Sequence, residues 1–385
     1  MSLPRILAVH APGSALPGVD AAVDAEAALL RTHGHDVERL LPAGAAPSWA
    51  SALWSSHDAQ ALRATLGRFR PDLVHVHAQA GGYSPALLWA AAEHGVPVVL
   101  TLHDFALGCP QGSLLRAGRI CEECPGGPPL PAVRHRCCGG SRRASLVAAT
   151  ALIAQRALGT WTRKVSRYIV PSDFCREQSI RAGLPAARLR VKPYFTAAPL
   201  AGPEHAGAAA EGGDFLYAGP LSEQSGVRVL AQALAQPGNL ACTVAGDGPL
   251  RATLEGAAGL RLSGPLEAAG LSRQLQRATA LVLPSLWFEP FAQAAIEAYA
   301  HGLPVIASRL GSLVDIVRDG KTGLLVEPGD ALDLARKMRW ARDNPAQMQA
   351  MGRTARTIHA RRYSAQENYR QLLAVYDDAI ASTPL

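Results

Sequence analysis

The sequence predicts an α/β fold built from two open parallel sheets. Three observations predict it. Short apolar runs of strand length alternate with segments of helical period. The alternation breaks once, at Thr196–Gly213, a stretch rich in Ala, Gly and Pro with no periodic apolar face. It then restarts, and 385 residues leave room for two or three domains.

In the first half the strand-like runs are Ile6–Val9, Leu73–His77, Val96–Leu102 and Tyr168–Val170, each punctuated by Gly or Pro. Between the first two lies Ala21–His33, which places Val23, Ala27, Leu29 and Leu30 on one helical side before Gly34 stops it. The runs beginning at Asp72 and Pro97 are apolar until they end in polar residues, as buried parallel strands do. After the linker come strands Phe215–Ala218, Leu240–Ala245, Leu281–Leu283 and Val305–Ala307. Helices Val227–Ala235, Gln293–His301 and Leu332–Asp343 alternate with them. The last helix, Ala365–Ile380, carries Tyr369, Leu372, Leu373 and Tyr376 on one side. Two such halves are expected to face each other across a cleft, with ligands at the carboxyl ends of the strands.

Composition narrows the function classes. Hydrophobic residues make up 48% and charged residues 18%, which suits a folded chain rather than a disordered one. No apolar run reaches the ~18–20 residues of a spanning helix. The N-terminal stretch MSLPRILAVHAPG lacks the basic and long apolar regions of a signal peptide, so a cytoplasmic protein is expected. Net charge is +7, carried by 34 Arg and four Lys, a bias that coding composition explains without a nucleic-acid partner. The distribution is more informative. No Asp or Glu occurs between Glu123 and Asp173, a stretch holding Arg134, Arg136, Arg142, Arg143, Arg156, Arg163, Lys164 and Arg167 among apolar residues. Such a block reads as an element for an anionic membrane surface, or as a solvated helix face.

Two segments carry candidate chemistry. Gly246-Asp247-Gly248-Pro249 follows a strand directly, where glycines permit a sharp turn or close approach of a ligand. Leu283–Ala298 places Glu289 in a loop after a strand and Glu297 about two turns into the next helix. Phe291, Ala292 and Gln293 open that helix, and free N–H groups at a helix start attract an anion such as a diphosphate. Carboxylates there would repel phosphate, so Glu289 and Glu297 are better suited to accept hydrogen bonds from sugar hydroxyls.

The run from Glu289 to Glu297, with His301-Gly302-Leu303-Pro304-Val305 and Asp315…Asp319-Gly320-Lys321-Thr322-Gly323 after it, resembles the family-4 glycosyltransferases of the GT-B fold. The resemblance covers nearly the whole chain and is strongest over 240–330. It implies two Rossmann-like domains facing across a cleft. Residues 1–195 would bind the acceptor, 196–213 link, 214–364 bind the nucleotide-sugar, and 365–385 return to the first domain. It implies transfer of a sugar from a nucleotide-sugar donor to a glycan or lipid-linked acceptor, with retention and without a catalytic cofactor. Bacterial surface-polysaccharide assembly is the expected setting. Glu297 matches the residue on the ribose, Glu289 and His103 those beside the donor sugar. Phe291, Ala292 and Gln293 match the start of the nucleotide helix, and Gly18 and Gly219 the glycines of the first loop of each domain. Gly246, Gly248 and Pro249 are assigned to the same nucleotide-sugar site.

The chain also departs from the family pattern. Where the family has two basic residues after the strand opening the second domain, this sequence has Pro220 and Ser225. Those cations neutralise the donor diphosphate, so Arg228, Arg251, Lys192 and Arg309 become candidate substitutes. The departure also keeps open a non-catalytic homologue that binds a sugar, glycan or partner enzyme. A dinucleotide oxidoreductase is disfavoured, since no G-x-G-x-x-G follows the first strand.

Five of the seven cysteines fall in one Gly/Pro-rich segment, about 105–145, with Cys121-Glu122-Glu123-Cys124 at its centre. Cys109, Cys121, Cys124 and Cys138 are the expected ligands of a structural zinc, with Cys137 or His135 as substitutes. Reduced thiols and disulfides are the alternatives. Cys175 and Cys242 read as buried small residues.

Overall fold

The structure, a computed structural model, describes residues 3–13, 18–42, 53–78, 83–196 and 214–382. The expected linker falls almost wholly outside the described residues, as does Pro17 beside Gly18. The chain forms two compact units. The first comprises 1–116, 121–193 and 368–385; the second comprises 117–120 and 194–367.

The first unit is a six-stranded parallel sheet in the order β2-β1-β3-β4-β7-β8. Its strands are β1 (Ile6–Val9), β2 (Val37–Leu40), β3 (Leu73–Ala78), β4 (Val98–Leu102), β7 (Arg167–Val170) and β8 (Leu189–Val191). β5 (Leu115–Arg116) and β6 (Arg119–Ile120) are two-residue strands in the cysteine-rich insertion. The chain moves outward from β1 to β2, then crosses to β3 on the other side of β1, so the switch point lies between β1 and β3. One face of the sheet is closed by the C-terminal helix Ala365–Ala381. Its Leu372, Val375, Tyr376 and Ala379 pack with Ile6, Ala8, Leu73, Val99 and Ile169. Arg167 and Arg190 both grip Asp378 of that helix, at 2.6 and 2.7 Å.

The second unit repeats the plan in the order β11-β10-β9-β12-β13-β14. Its strands are β9 (Phe215–Ala218), β10 (Cys242–Ala245), β11 (Leu260–Gly264), β12 (Leu281–Leu283), β13 (Val305–Ser308) and β14 (Gly323–Val326). Every pairing in both six-stranded sheets is parallel. One core packs the helix Val227–Leu234 and the helix Ala331–Asp343 on one face, and another packs Gln293–Ala300 on the other. Here the switch point lies between β9 and β12. The loops 219–226 and 284–292 leave the carboxyl ends of those two strands, the usual ligand position in such sheets.

No helix among the described residues is long and apolar enough to cross a membrane.

Candidate active site

In the second unit three loops are stitched together at the carboxyl edge. The Leu221 N–H donates to Asp247 O and the Leu250 N–H to Leu221 O, while the Leu286 N–H donates to Gln224 O. Glycine is required here by backbone packing. A Cβ on Gly246 would stand 1.9 Å from the Gly219 carbonyl oxygen, and one on Gly226 would stand 1.8 Å from that of Pro284. The N–H groups of Gly219, Gly246 and Gly248, expected at the nucleotide-sugar site, are engaged within the protein. Gly219 donates to Ala245 O, Gly246 to Gly264 O, and Gly248 to the Asp247 carboxylate. Pro249 is exposed.

Glu289 sits in the loop after β12, half-buried. The Ser285 hydroxyl donates to its Oε1, and its own carbonyl accepts from the Ser312 hydroxyl at 2.7 Å. Burial raises its pKa, opposed by hydrogen bonds from Ser285 and Trp287. The helix Gln293–Ala300 starts two residues after Phe291, with buried Ala292 at its cap and no side-chain cap there. Phe291 rests on Tyr194 and Tyr363, ring centroids 5.0 and 6.3 Å away. Gln293 donates to Phe195 O, and its Oε1 is buried without a partner. Glu297, one turn on from Gln293, also has its pKa raised by burial, with the Gln293 side chain opposing. The structure thus gathers Glu289, Phe291, Ala292, Gln293 and Glu297 on one loop-to-helix segment of the second unit.

The positions that lack basic residues differ from each other. Pro220 is exposed, its carbonyl accepting from the Tyr217 hydroxyl at 2.7 Å. Ser225 is buried, and its hydroxyl donates to Ser222 O at 2.7 Å, closing the turn before the helix. Of the four candidate substitutes, Lys192 is ruled out. It is 3% exposed in the first unit, with Nζ 2.6 Å from Glu26 Oε2 and 3.2 Å from Asn368 Oδ1. Arg228 pairs with Glu223, Arg251 with Glu255, and Arg309 with Asp319 and Glu327.

In the first unit His103 is not a solitary strand-end residue. It follows β4, donates its N–H to Ala78 O, and its Nε2 lies 3.1 Å from His77 Nδ1. His75 and His77 share one face of β3. His75 bonds Tyr376 and Thr101 at 2.8 and 2.7 Å, and its Nδ1 lies 3.3 Å from Glu26 Oε1. His10 at the end of β1 bonds Asp20, whose second oxygen accepts from the Gly13 N–H. Gly18 takes the left-handed conformation, φ 82°, that starts the helix Val19–Thr32 bearing Asp20 and Glu26. Burial holds His75 and His77 well below the ordinary imidazole range, and His103 at about 3 despite the Glu26 charge. Glu26 is held low by the Lys192 ammonium bonded to it, against the opposing effect of burial. Glu26, His75 and His77 bring ligand atoms within 4.8 Å of one another, but the Lys192 ammonium already occupies Glu26. No sequence motif marks this network. The alternation His75-Val76-His77 inside an apolar strand was its one sequence signal.

The cysteine segment brings four of its five cysteines to one cavity. Cys109, Cys121, Cys124 and Cys137 line one cavity together with His135, whereas Cys138 does not. Cys138 is buried with its N–H donated to the Ser145 hydroxyl, at the base of the next helix.

Comparison with known proteins bears on both units. Residues 16–194 match the family described as Glycosyltransferase Family 4, and residues 212–344 match Glycosyl transferases group 1. A glycogen synthase of Mycobacterium tuberculosis is 35% identical over 196 residues, 46% of this chain and 42% of that protein. A D-inositol 3-phosphate glycosyltransferase of Corynebacterium kroppenstedtii is 35% identical over 125 residues, 32% of this chain and 27% of that one. The matches thus span less than half the length of these relatives. Among solved structures, Anabaena HepE in complex with UDP and glucose superposes with a TM-score of 0.68 at 18% identity, covering 97% of this chain and 100% of that one. With both sheets, both switch points and both domain matches in place, the chain belongs to the family-4 glycosyltransferases of the GT-B fold.

Proposed function

We propose that this protein is a retaining hexosyltransferase that uses a nucleotide-sugar donor and a glycan or lipid-linked acceptor, in bacterial surface-polysaccharide synthesis. The observation that carries the reading is the Glu289–Glu297 segment beside the β9/β12 switch point. Its two carboxylates are desolvated, and the helix between them starts without a capping side chain. Desolvated carboxylates are strong acceptors for sugar hydroxyls. In this reading Glu297 takes the ribose, Glu289 and His103 the donor sugar, and the helix start the diphosphate. The anomeric carbon loses its bond to the diphosphate oxygen and gains one to the acceptor oxygen on the same face. The acceptor proton passes to the departing phosphate. That HepE was solved with UDP and glucose makes a uridine donor the first to try.

The setting belongs to the same proposal: a cytoplasmic protein resting on the anionic inner face of the cell membrane. The supporting feature is the helix Arg142–Ala157, whose outward face carries Arg142, Arg143, Leu146, Val147 and Ile153. Two residues of the basic block are excluded from it. Arg156 donates inward to Leu107 and Gly127 carbonyls, and Arg167 is paired with Asp378.

The test is a panel of UDP-, GDP- and ADP-sugars scored by calorimetry and by release of nucleoside diphosphate. Binding with turnover is expected for one base. A second reading, a homologue that binds sugar without transferring it, draws on exposed Pro220 and the closed turn at Ser225, which put no cation at those positions. Binding without turnover on any acceptor would favour it, and no binding at all would sink the donor assignment.

A further inference from the structure

We propose that Cys109, Cys121, Cys124 and Cys137 hold a structural zinc ion that ties the insertion after His103 into one piece. The four thiols line one cavity of about 10 Å³, roughly the space of one water-sized sphere. The other two polar candidates are engaged. His135 has Nε2 3.1 Å from Glu123 and Nδ1 3.2 Å from Arg116, and Cys138 is not among the residues lining the cavity. The spacing is that of a closed site: one cysteine, a C-x2-C pair twelve residues on, and a fourth thirteen residues after that.

The segment needs such a tie. From 105 to 141 its regular structure is β5, β6 and a five-residue helix, Leu130–Arg134. Few of its side chains are fully buried, Leu114, Cys124, Ala132 and Cys138 among them. A segment with so small a core is held by cross-links or metal rather than by packing.

The surroundings suit the charge. Four thiolates around Zn²⁺ carry a net charge of −2; the Arg116 guanidinium lines the cavity, and Arg156 lies within electrostatic range of Cys124. Arg116 lies against Cys121 with its Nε buried and unpartnered. Arg156 reaches the Leu107 and Gly127 carbonyls within the segment, and its Nε is likewise without a partner. Donors of this kind commonly steady zinc-bound sulfur. No three of these sulfurs all lie within 4.8 Å of one another. In a tetrahedral site with Zn–S of about 2.3 Å they stand about 3.8 Å apart. Uptake of the ion therefore requires side-chain rotation, and each thiol gives up its proton on binding.

Full-length protein purified without chelator should contain one zinc per chain by elemental analysis. After chelation, added Co²⁺ should restore binding with the thiolate-to-cobalt charge-transfer absorption of a four-sulfur site. Cys137→Ser should lose the metal, whereas Cys138→Ser should keep it. Should Cys137→Ser fail to fold, the cobalt spectrum of the unmodified chain and the Cys138→Ser result still decide. Protein with no zinc and no cobalt–thiolate absorption would overturn the proposal. So would disulfides among these cysteines by mass spectrometry, or loss of metal in Cys138→Ser with retention in Cys137→Ser.

Discussion

His77 Nδ1 stands 3.1 Å from His103 Nε2, and burial keeps both rings neutral. Between two neutral imidazoles one nitrogen donates and the other accepts. The opposite nitrogen of His77, Nε2, lies 3.9 Å from Glu26 Oε1, a buried carboxylate oxygen without a hydrogen-bond partner. A proton on that nitrogen faces the negative charge. His77 Nδ1 then accepts, His103 Nε2 donates, and His103 Nδ1 is left as a lone pair. If His103 serves the donor sugar, this tautomer meets a sugar hydroxyl as an acceptor. Nitrogen-15 spectra should show neutral His103 protonated on Nε2 from pH 8 down to 5. A proton found on Nδ1 would reverse this account.

If His103 and Glu289 serve the donor sugar, removing either should harm turnover more than nucleotide binding. Loss of one well-placed hydrogen-bonding group at a reacting centre lowers kcat roughly 10²-fold. His103→Ala and Glu289→Ala should therefore drop turnover by about that factor, with nucleotide affinity nearly unchanged. Wild-type turnover in either variant removes that residue from the site.

The histidine network also sets an acid limit. The folded state holds His75, His77 and His103 far below their unfolded value of ~6.5, so below that pH the unfolded chain binds more protons. Stability is fully present above pH ~6.5 and falls as pH drops toward the folded pKa values. Each histidine contributes about 1.4 kcal/mol per pH unit on that slope. Melting temperature should fall steeply between pH 6.5 and 5, where ordinary carboxylates remain ionised. A flat profile over that window would contradict the buried neutral cluster.

Glu297 tests the nucleotide assignment by itself. Glu297→Gln keeps the size of the side chain and removes the charge that two ribose hydroxyls would share. Hydrogen bonds to a charged acceptor are worth ~1.5–3 kcal/mol, so affinity should fall roughly tenfold or more with the fold intact. Calorimetry that finds equal affinity would move the ribose elsewhere.

The interior strands of both sheets could be read from apolar runs, but β2, β8, β11 and β14 could not. All four are sheet edges. Val37–Leu40 and Leu260–Gly264 have one neighbour each and mix apolar with charged or polar residues, so no continuous apolar run marks them, whereas Gly323–Val326 is apolar and buried but only four residues long. The Glu289–Glu297 segment was legible because its spacing is local. The histidine network was not, because Glu26 and Lys192 are 166 positions apart and meet only in the folded unit, where the Lys192 side chain just after β8 reaches the helix Val19–Thr32. The choice between Cys137 and Cys138 lay beyond spacing as well. Neighbouring residues point different ways, and only the turn after Arg134 decides which one faces the cavity.

Membrane attachment through the helix Arg142–Ala157 predicts a salt-sensitive equilibrium. Each basic residue near an anionic surface contributes ~1 kcal/mol. Arg142→Ala with Arg143→Ala should then weaken binding to phosphatidylserine vesicles roughly thirtyfold. Leu146→Ser should weaken it at every salt concentration, since its contribution is apolar. Neutral vesicles bound as tightly as anionic ones would argue against the basic face.

The sharpest test concerns the missing cations, and the fold now separates the two positions. Ser225 is buried with its hydroxyl closing a turn, so Ser225→Lys must break that turn and extend a long side chain from a packed site. It should lower stability whatever it does to binding. Pro220 is exposed on the loop after β9, at the switch point, and its carbonyl alone is engaged. Pro220→Arg can therefore add charge without disturbing the Tyr217 hydrogen bond. If a donor diphosphate binds at the helix start by Ala292, an added guanidinium within reach should tighten nucleotide-sugar binding by roughly 1.5–3 kcal/mol. Turnover rises as well if that charge grows as the sugar departs. Arg228, in the first turn of the helix after this loop and paired with Glu223, is the native cation nearest in sequence to those positions. Arg228→Ala should weaken nucleotide-sugar binding if it already serves the diphosphate, and Pro220→Arg should then restore it. Unchanged binding in both Arg228→Ala and Pro220→Arg would place the diphosphate away from this loop.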